Sequence, residues 1–298
     1  MTSTVNRFKQ AETQLEAKDY KSEVKPIWCA GCGYHGILNS MYKALAELNI
    51  DPSQIINISG IGCSSRTPYF VNSYKMHTLH GRAAPVATGA QLVNPDLPVI
   101  ITGGDGDGFS IGGGHMPHLA RKNLNITYIL MDNHIYGLTK GQVSPTSRRE
   151  MKAYTTPYGG VDDPLNPVKY LMGYEASFVA QAYAGQPAVC KDLIRQAIEH
   201  KGFSYVNILS PCPTFNKIDT LQYYKELVKN IPENHDSSNY QETLNLINSY
   251  ETEGKAPIGL LFKDTTRETL DKRMADLVKL VGGSSDYDLN KIVDLAKP

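Results

Sequence analysis

Between residues 99 and 133 two apolar runs flank a glycine-rich acidic turn, an order that few folds accept. Val99-Ile100-Ile101-Thr102 leads at once into Gly103-Gly104-Asp105-Gly106-Asp107-Gly108. A helix-length segment follows, then Ile126-Thr127-Tyr128-Ile129-Leu130-Met131 and Asp132-Asn133. Strand, turn, helix and strand in that order make one right-handed βαβ unit. Both strand C-termini of such a unit open on one edge of the sheet, where α/β proteins bind ligands. Asp105 and Asn133 therefore converge despite their separation in sequence. A carboxylate and an amide oxygen suit Mg²⁺, which shares its shell with phosphate oxygens. Glycine lets backbone N–H groups approach a phosphate closely. The local reading is a Mg-diphosphate site; the plainer alternative is a tight turn whose Asp caps a helix.

At 298 residues the chain can bury one large α/β core with appendages. Lys+Arg and Asp+Glu both number 30, so charge gives no support to nucleic-acid or membrane-surface binding. The polar start of the chain lacks the apolar centre of a signal peptide, and no apolar run reaches spanning length. A cytoplasmic protein is expected. Five cysteines, an odd number, favour metal or redox chemistry over a disulfide framework.

Those cysteines fall in telling places. Trp28-Cys29-Ala30-Gly31-Cys32-Gly33 is a glycine-rich C-x-x-C loop ahead of a helix with Ile37, Leu38, Met41, Ala44, Leu45 and Leu48 at helical spacing. Such a loop alone fits half a zinc site, a thioredoxin-like pair or half an iron–sulfur site. Thioredoxin-like chemistry puts the pair after a strand, and no clear strand precedes Trp28. Cys63 follows the strand Ile55-Ile56-Asn57-Ile58-Ser59, and Cys212 follows Tyr205-Val206-Asn207-Ile208-Leu209. Cys29, Cys32, Cys63 and Cys212 can thus meet on the edge that carries Asp105 and Asn133. Four thiolates suit structural zinc or a [4Fe–4S] cluster, and spacing alone does not choose. Cys190 fits no such pattern and reads as structural, ahead of a helix at 191–200.

Elsewhere the expectations are plainer. Residues 1–23 read as a polar N-terminal arm with helical tendency over 9–21, best taken as a mobile terminus. Residues 83–90 form a small-residue helix that packs closely on the sheet, while His80 and Arg82 could line a polar pocket. His115 and His118 have a metal-compatible spacing but no supporting ligand set, so packing or partner contact is expected. The loop over 143–167 is long enough to suggest function or an interface. Residues 168–184 read as helical, and 205–209 as the last strand. The polar stretch 215–298, with helices around 221–229 and 267–280, reads as a surface extension without chemistry. No repeat or low-complexity segment appears.

The Gly104-Asp105-Gly106 opening and Asn133 closing of the central unit resemble the diphosphate-binding motif of thiamine diphosphate enzymes. The chain from about 24 to 263 then resembles one family, the thiamine-binding β subunits of the 2-oxoacid:ferredoxin oxidoreductases. The motifs that carry the resemblance are Trp28-Cys29-x-Gly31-Cys32-Gly33, Gly62-Cys63-Ser64-Ser65, His80-Gly81-Arg82-Ala83, Gly104-Asp105-Gly106-Asp107, Asp132-Asn133-x-x-Tyr136-Gly137-Leu138-Thr139-Lys140-Gly141-Gln142 and Ser210-Pro211-Cys212-Pro213. Ala30 stands where many members have proline, which leaves the ligand spacing intact.

The resemblance implies a mostly parallel sheet flanked by helices, the thiamine diphosphate-binding fold, over 24–214, with a polar C-terminal extension over 215–298. It implies one [4Fe–4S] cluster on Cys29, Cys32, Cys63 and Cys212. It implies Mg²⁺ on Asp105, Asn133 and the Ile135 carbonyl, with Gly62, Cys63, Ser64, His80, Gly106, Asp107, Gly137 and Leu138 touching thiamine diphosphate. Arg66 would hold a substrate carboxylate as a bidentate fork, or else anchor its loop; Leu138 would join it at the reacting centre. The implied reaction is reversible, coenzyme A-dependent oxidative decarboxylation of a 2-oxoacid, with electrons passing to ferredoxin and CO₂ fixed in reverse. A separate α subunit would supply the glutamate that activates thiamine, in a dimer of αβ heterodimers. The stretch 137–147 looks most like the 2-oxoglutarate type, ahead of pyruvate or branched-chain types. A thiamine decarboxylase without a cluster would leave the four cysteines idle. A zinc-binding scaffold would leave the diphosphate motif idle.

Overall fold

Strands that are apolar along both faces must be covered on both sides, and this chain has several. A computed structural model describes residues 8–280. The outer ends of the expected arm and extension, 1–7 and 281–298, lie outside the described residues. In chain order the fold has α1 (Tyr34–Leu48), β1 (Ile56–Ser59), α2 (Thr67–Phe70), β2 (Tyr74–His77), α3 (Ala83–Val93) and β3 (Val99–Gly104). Then come α4 (Asp105–Phe109), α5 (Met116–Lys122), β4 (Ile126–Asp132), α6 (Pro167–Gly173), β5 (Phe178–Tyr183), α7 (Pro187–Glu199) and β6 (Ser204–Leu209). The last are α8 (Leu221–Leu227), β7 (Val228–Asn230), α9 (Tyr240–Thr252), β8 (Ala256–Lys263) and α10 (Leu270–Leu280).

The strands form one sheet in the order β2-β1-β3-β4-β6-β5-β8-β7. The first six are parallel, β8 runs antiparallel to β5, and β7 runs parallel to β8. Side chains alternate between two cores, as a strand's period of two requires. Ile100, Ile129, Met131 and Val206 meet α1 and α7 on one face. Ile101, Tyr128, Leu130 and Tyr205 meet α3, α5, α6 and α9 on the other. The mostly parallel, doubly covered sheet is the architecture expected, and the βαβ unit around Asp105 lies at its centre.

Four local expectations change. Only Pro167–Gly173 of the stretch 168–184 is helical: Glu175 takes a left-handed backbone with φ of 55°, which ends the helix. Phe178-Val179-Ala180-Gln181-Ala182-Tyr183 then forms a fully buried strand between β6 and β8. A six-residue run with five apolar residues is ambiguous by periodicity, and its aromatic and branched residues favour the sheet. Cys190 lies within α7 rather than ahead of it, buried, its thiol donating to the Tyr183 carbonyl (3.1 Å). The described part of the N-terminal arm is not helical and packs on the core: Tyr20 is buried, its hydroxyl donates to the Ile50 carbonyl (2.7 Å), and Lys21 bridges to Val71. Finally, 205–209 is not the last strand, since β7 and β8 follow and join the sheet.

Candidate active site

Four adjacent strands, β1, β3, β4 and β6, end on the same edge, and each ends in a residue type suited to ligation. Cys63 follows β1, Asp105 follows β3, Asn133 follows β4 and Cys212 follows β6. A cavity of about 440 Å³ opens over this edge. Asp105, Asn133, Ile135, Gly62, Cys63, Ser64, His80, Gly106, Asp107, Gly137 and Leu138 all line it, as do Tyr34, Tyr136 and Gln142. Gly106 is required there because a Cβ would stand 2.1 Å from the Tyr136 ring.

The carboxylates are buried and pre-oriented. Asp107 Oδ1 accepts the backbone N–H of Gly81 (2.7 Å) and Ile61 (2.9 Å) and faces His80 Nδ1 at 3.1 Å. Gly81 is left-handed, with φ of 69°, which turns its N–H toward the carboxylate. Burial raises the Asp107 carboxyl, against the pull of these donors. Its Oδ2 is buried without a protein partner. Thr146 Oγ1 lies 2.8 Å from Asp105 Oδ2 and 2.9 Å from Asp132 Oδ1. One hydroxyl proton cannot serve both. Burial, then the neighbouring Asp132, lifts the Asp105 carboxyl above the usual range. Two buried carboxylates with one neutral hydroxyl between them hold an excess of negative charge that a divalent cation offsets.

The Asn133 turn is held from behind. His134 has φ of 57°, the left-handed region that L-residues avoid. Its Nδ1 meets Asp219 Oδ2 at 3.0 Å, and its Nε2 lies 3.7 Å from Asp132 Oδ2. Burial lowers the imidazole, but Asp132 and Asp219 outweigh it and hold the ring protonated up to about 9. Ser147 donates to the His134 carbonyl (2.6 Å), and Arg148 Nε pairs with Asp219 Oδ1 (2.7 Å).

A second cavity, of about 210 Å³, adjoins the first. Cys29, Cys32, Cys63, Cys212, Arg66 and Lys140 line it. Arg66 therefore faces the thiols, and it does not line the larger cavity. The larger cavity has no Arg or Lys in its lining. Burial pushes Cys32 up to about 12, with Cys212, Cys63 and Cys29 adding to it. Cys63 is raised by burial and by Cys212, while Arg66 draws it down. Such thiols ionise only against cationic charge. Among the described residues no three His, Cys, Asp or Glu close on a single-ion position. The four thiols line this one cavity, a donor set that fits a thiolate-bound metal centre. His115 and His118 enter neither cavity.

Asp132, His134, Thr146, Arg148, Asn216 and Asp219 were not expected at the site. Asp132 and His134 carried a signal as the neighbours of Asn133, and Thr146 as part of the stretch 137–147. Arg148, Asn216 and Asp219 lie in a long loop and a polar stretch without periodicity, and fold topology brings them in.

Comparison with known proteins agrees with this geometry. A model of the thiamine pyrophosphate enzyme C-terminal TPP binding domain matches residues 60–208. Residues 212–279 match the C-terminal part of the pyruvate ferredoxin oxidoreductase beta subunit. The 2-oxoacid:ferredoxin oxidoreductase 2 subunit beta of Aeropyrum pernix is 42% identical over 272 residues, 87% of either chain. The chain belongs to the 2-oxoacid:ferredoxin oxidoreductase β subunits. This β subunit is also 39% identical over 261 residues to 2-oxoglutarate synthase subunit KorB of Methanothermobacter marburgensis, covering 87% of this chain and 90% of that one. A solved structure, 2-oxoglutarate:ferredoxin oxidoreductase from Magnetococcus marinus with 2-oxoglutarate, coenzyme A and succinyl-CoA bound, superposes with a TM-score of 0.92. It is 60% identical, covering 98% of this chain and 99% of that one. No helix among the described residues is long and apolar enough to cross a membrane.

Proposed function

We propose that this β subunit serves a coenzyme A-dependent 2-oxoglutarate:ferredoxin oxidoreductase. The observation that carries the reading is the shared wall: Tyr34, Cys63, Asn133, Gly137 and Leu138 line both the larger cavity and the cysteine cavity. A carboxylate-and-amide site for a metal diphosphate thus stands back to back with four thiols. In this reading Asp105, Asn133 and the Ile135 carbonyl hold Mg²⁺. Gly62, Cys63, Ser64, His80, Gly106, Asp107, Gly137 and Leu138 hold thiamine diphosphate, which supplies carbanion chemistry when bound. Cys29, Cys32, Cys63 and Cys212 hold one [4Fe–4S] cluster.

The chain's own residues then have separate tasks. Asp107 fastens the loops after β1 and before α3 to α4, shaping the cavity. Thr146 and the left-handed turn at His134 aim Asp105 and Asn133. Leu138 presents an apolar side chain to both cavities, keeping water from the reacting carbon. Arg66 stands on the thiol side of the shared wall, where its charge favours the Cys63 thiolate, and its place does not support the substrate-carboxylate role expected of it. In the net reaction the C1–C2 bond of 2-oxoglutarate breaks, CO₂ leaves, and the acyl carbon joins the coenzyme A sulfur. The thiol proton is released and two electrons leave singly to two ferredoxins; the sequence also runs in reverse. An α subunit, contributing the activating glutamate, completes the site in a dimer of heterodimers.

The test is anaerobic co-expression with the α subunit, followed by assay of iron, sulfide and thiamine diphosphate. About four irons per β chain, with bound thiamine diphosphate and faster succinyl-CoA formation from 2-oxoglutarate than acyl transfer from pyruvate, is expected. Thiamine diphosphate without iron would instead leave a decarboxylase.

A further inference from the structure

One residue that lines neither cavity is bonded to lining residues of both. Asn216 is buried four residues beyond Cys212, and its backbone N–H donates to the Cys212 carbonyl (2.9 Å). Its Nδ2 donates to the Asn133 carbonyl (3.1 Å) and to Asp219 Oδ2 (2.9 Å). Its Oδ1 accepts from the backbone N–H of Ile218 (3.2 Å) and Asp219 (2.9 Å). Both amide hydrogens and both oxygen lone pairs are therefore used, which fixes the side chain in one orientation. Asp219, held by Asn216, in turn holds His134 at the left-handed position that follows Asn133. The cysteine segment after β6 and the ligand turn after β4 thus hang on one residue, the first by its backbone N–H and the second by its side-chain amide.

We propose that Asn216 is a positioning residue that couples the two sites, so that filling the cysteine cavity strengthens thiamine diphosphate binding, and the reverse. This inference rests on the function proposed above. A cluster bound to Cys212 restrains that residue's backbone, hence Asn216, hence the turn that presents Asn133 and Ile135. Coupling of this kind is reciprocal, because a free-energy difference between two sites belongs to neither alone. Asn216 lines neither cavity, so any effect it has on cofactor binding passes through Cys212 and Asn133.

The experiment uses the anaerobic αβ assembly. Calorimetry gives the thiamine diphosphate Kd, in Mg²⁺, for cluster-loaded protein and for protein stripped of iron by a chelator. The parent is expected to bind about tenfold tighter when loaded, within the usual span of coupled sites. In Asn216→Ala that ratio falls toward one, as expected when one element that transmits a coupling is removed, and what remains is carried by Cys63, which lines both cavities. Asn216→Ser is the milder companion. Its hydroxyl can still accept from the loop N–H groups but is too short to reach the Asn133 carbonyl, and circular dichroism verifies that it folds. A second readout needs no stripped protein: thiamine diphosphate slows iron loss to the chelator in the parent and not in either variant. A parent that binds iron, and binds thiamine diphosphate with the same Kd in both states, overturns the coupling. So does an Asn216→Ser variant whose ratio matches the parent's. A parent that never holds iron overturns the function itself, a separate and recognisable outcome.

Discussion

The two cavities share five wall residues yet are held in shape by different means. The larger one is built before any ligand arrives: Asp107 is gripped by two backbone N–H groups, and Thr146 spans Asp105 and Asp132. The cysteine cavity is loosely tied. Cys29 is exposed, and the C-x-x-C loop is tied to its neighbours by the Trp28 Nε1–H to the Cys63 carbonyl (2.7 Å) and the Gly33 N–H to the Pro211 carbonyl (3.2 Å). A diphosphate site works by preorganised donors that cost nothing to reorient. A thiol cage needs its metal to become charged and rigid, as metal sites whose ligands must ionise generally do.

The sharpest way to separate the two is to remove one ligand from each. Asp105→Asn should abolish turnover and thiamine diphosphate binding while the visible iron–sulfur absorbance remains. Cys212→Ser should lose the iron and keep thiamine diphosphate, more weakly bound. Absorbance and cofactor analysis of the same preparations check both. A smaller effect comes from filling space: Gly106→Ala forces a methyl into the Tyr136 ring, costing about 1–3 kcal/mol of overpacking and narrowing the larger cavity. Thermal unfolding and thiamine diphosphate titration read it, and an unchanged Kd would show that Tyr136 yields freely. Asp219→Asn removes one of the two anionic partners of His134 and, by analogy with other residues that orient metal ligands, should weaken Mg²⁺-dependent binding by roughly 10–100-fold. The smallest effect is Trp28→Phe. It retains packing against Tyr34 and Phe70 but loses about 1 kcal/mol of hydrogen bonding to the Cys63 carbonyl. Faster iron release to a chelator, with Asp105-dependent binding intact, is the expected signature.

How much of this could be read from the chain follows from where the information sits. β3 and β4 are continuous apolar runs bounded by turn residues, so their pairing and the placement of Asp105 and Asn133 were legible. The cysteines were legible because four of the five stand in glycine-bearing or proline-flanked turns at element ends. β5 was not, because five apolar residues and one glutamine after a true helix carry no distinguishing period. Nor was the role of Asn216 and Asp219, short polar residues in a polar stretch whose partners lie 83 and 85 positions away. The backbone at His134 was equally hidden, since its left-handed turn is imposed by Asp219 and Ser147 rather than by its own residue type. Arg66 is legible as a residue near a strand end, but only the fold puts it on the thiol side of the shared wall.

The central claim is that the larger cavity delivers electrons across that wall. The direct measurement is the anaerobic absorbance of the αβ assembly, loaded with iron and thiamine diphosphate, on addition of 2-oxoglutarate. Bleaching of the iron–sulfur band, completed by coenzyme A, is the predicted result. Release of CO₂ with the band unchanged would contradict it.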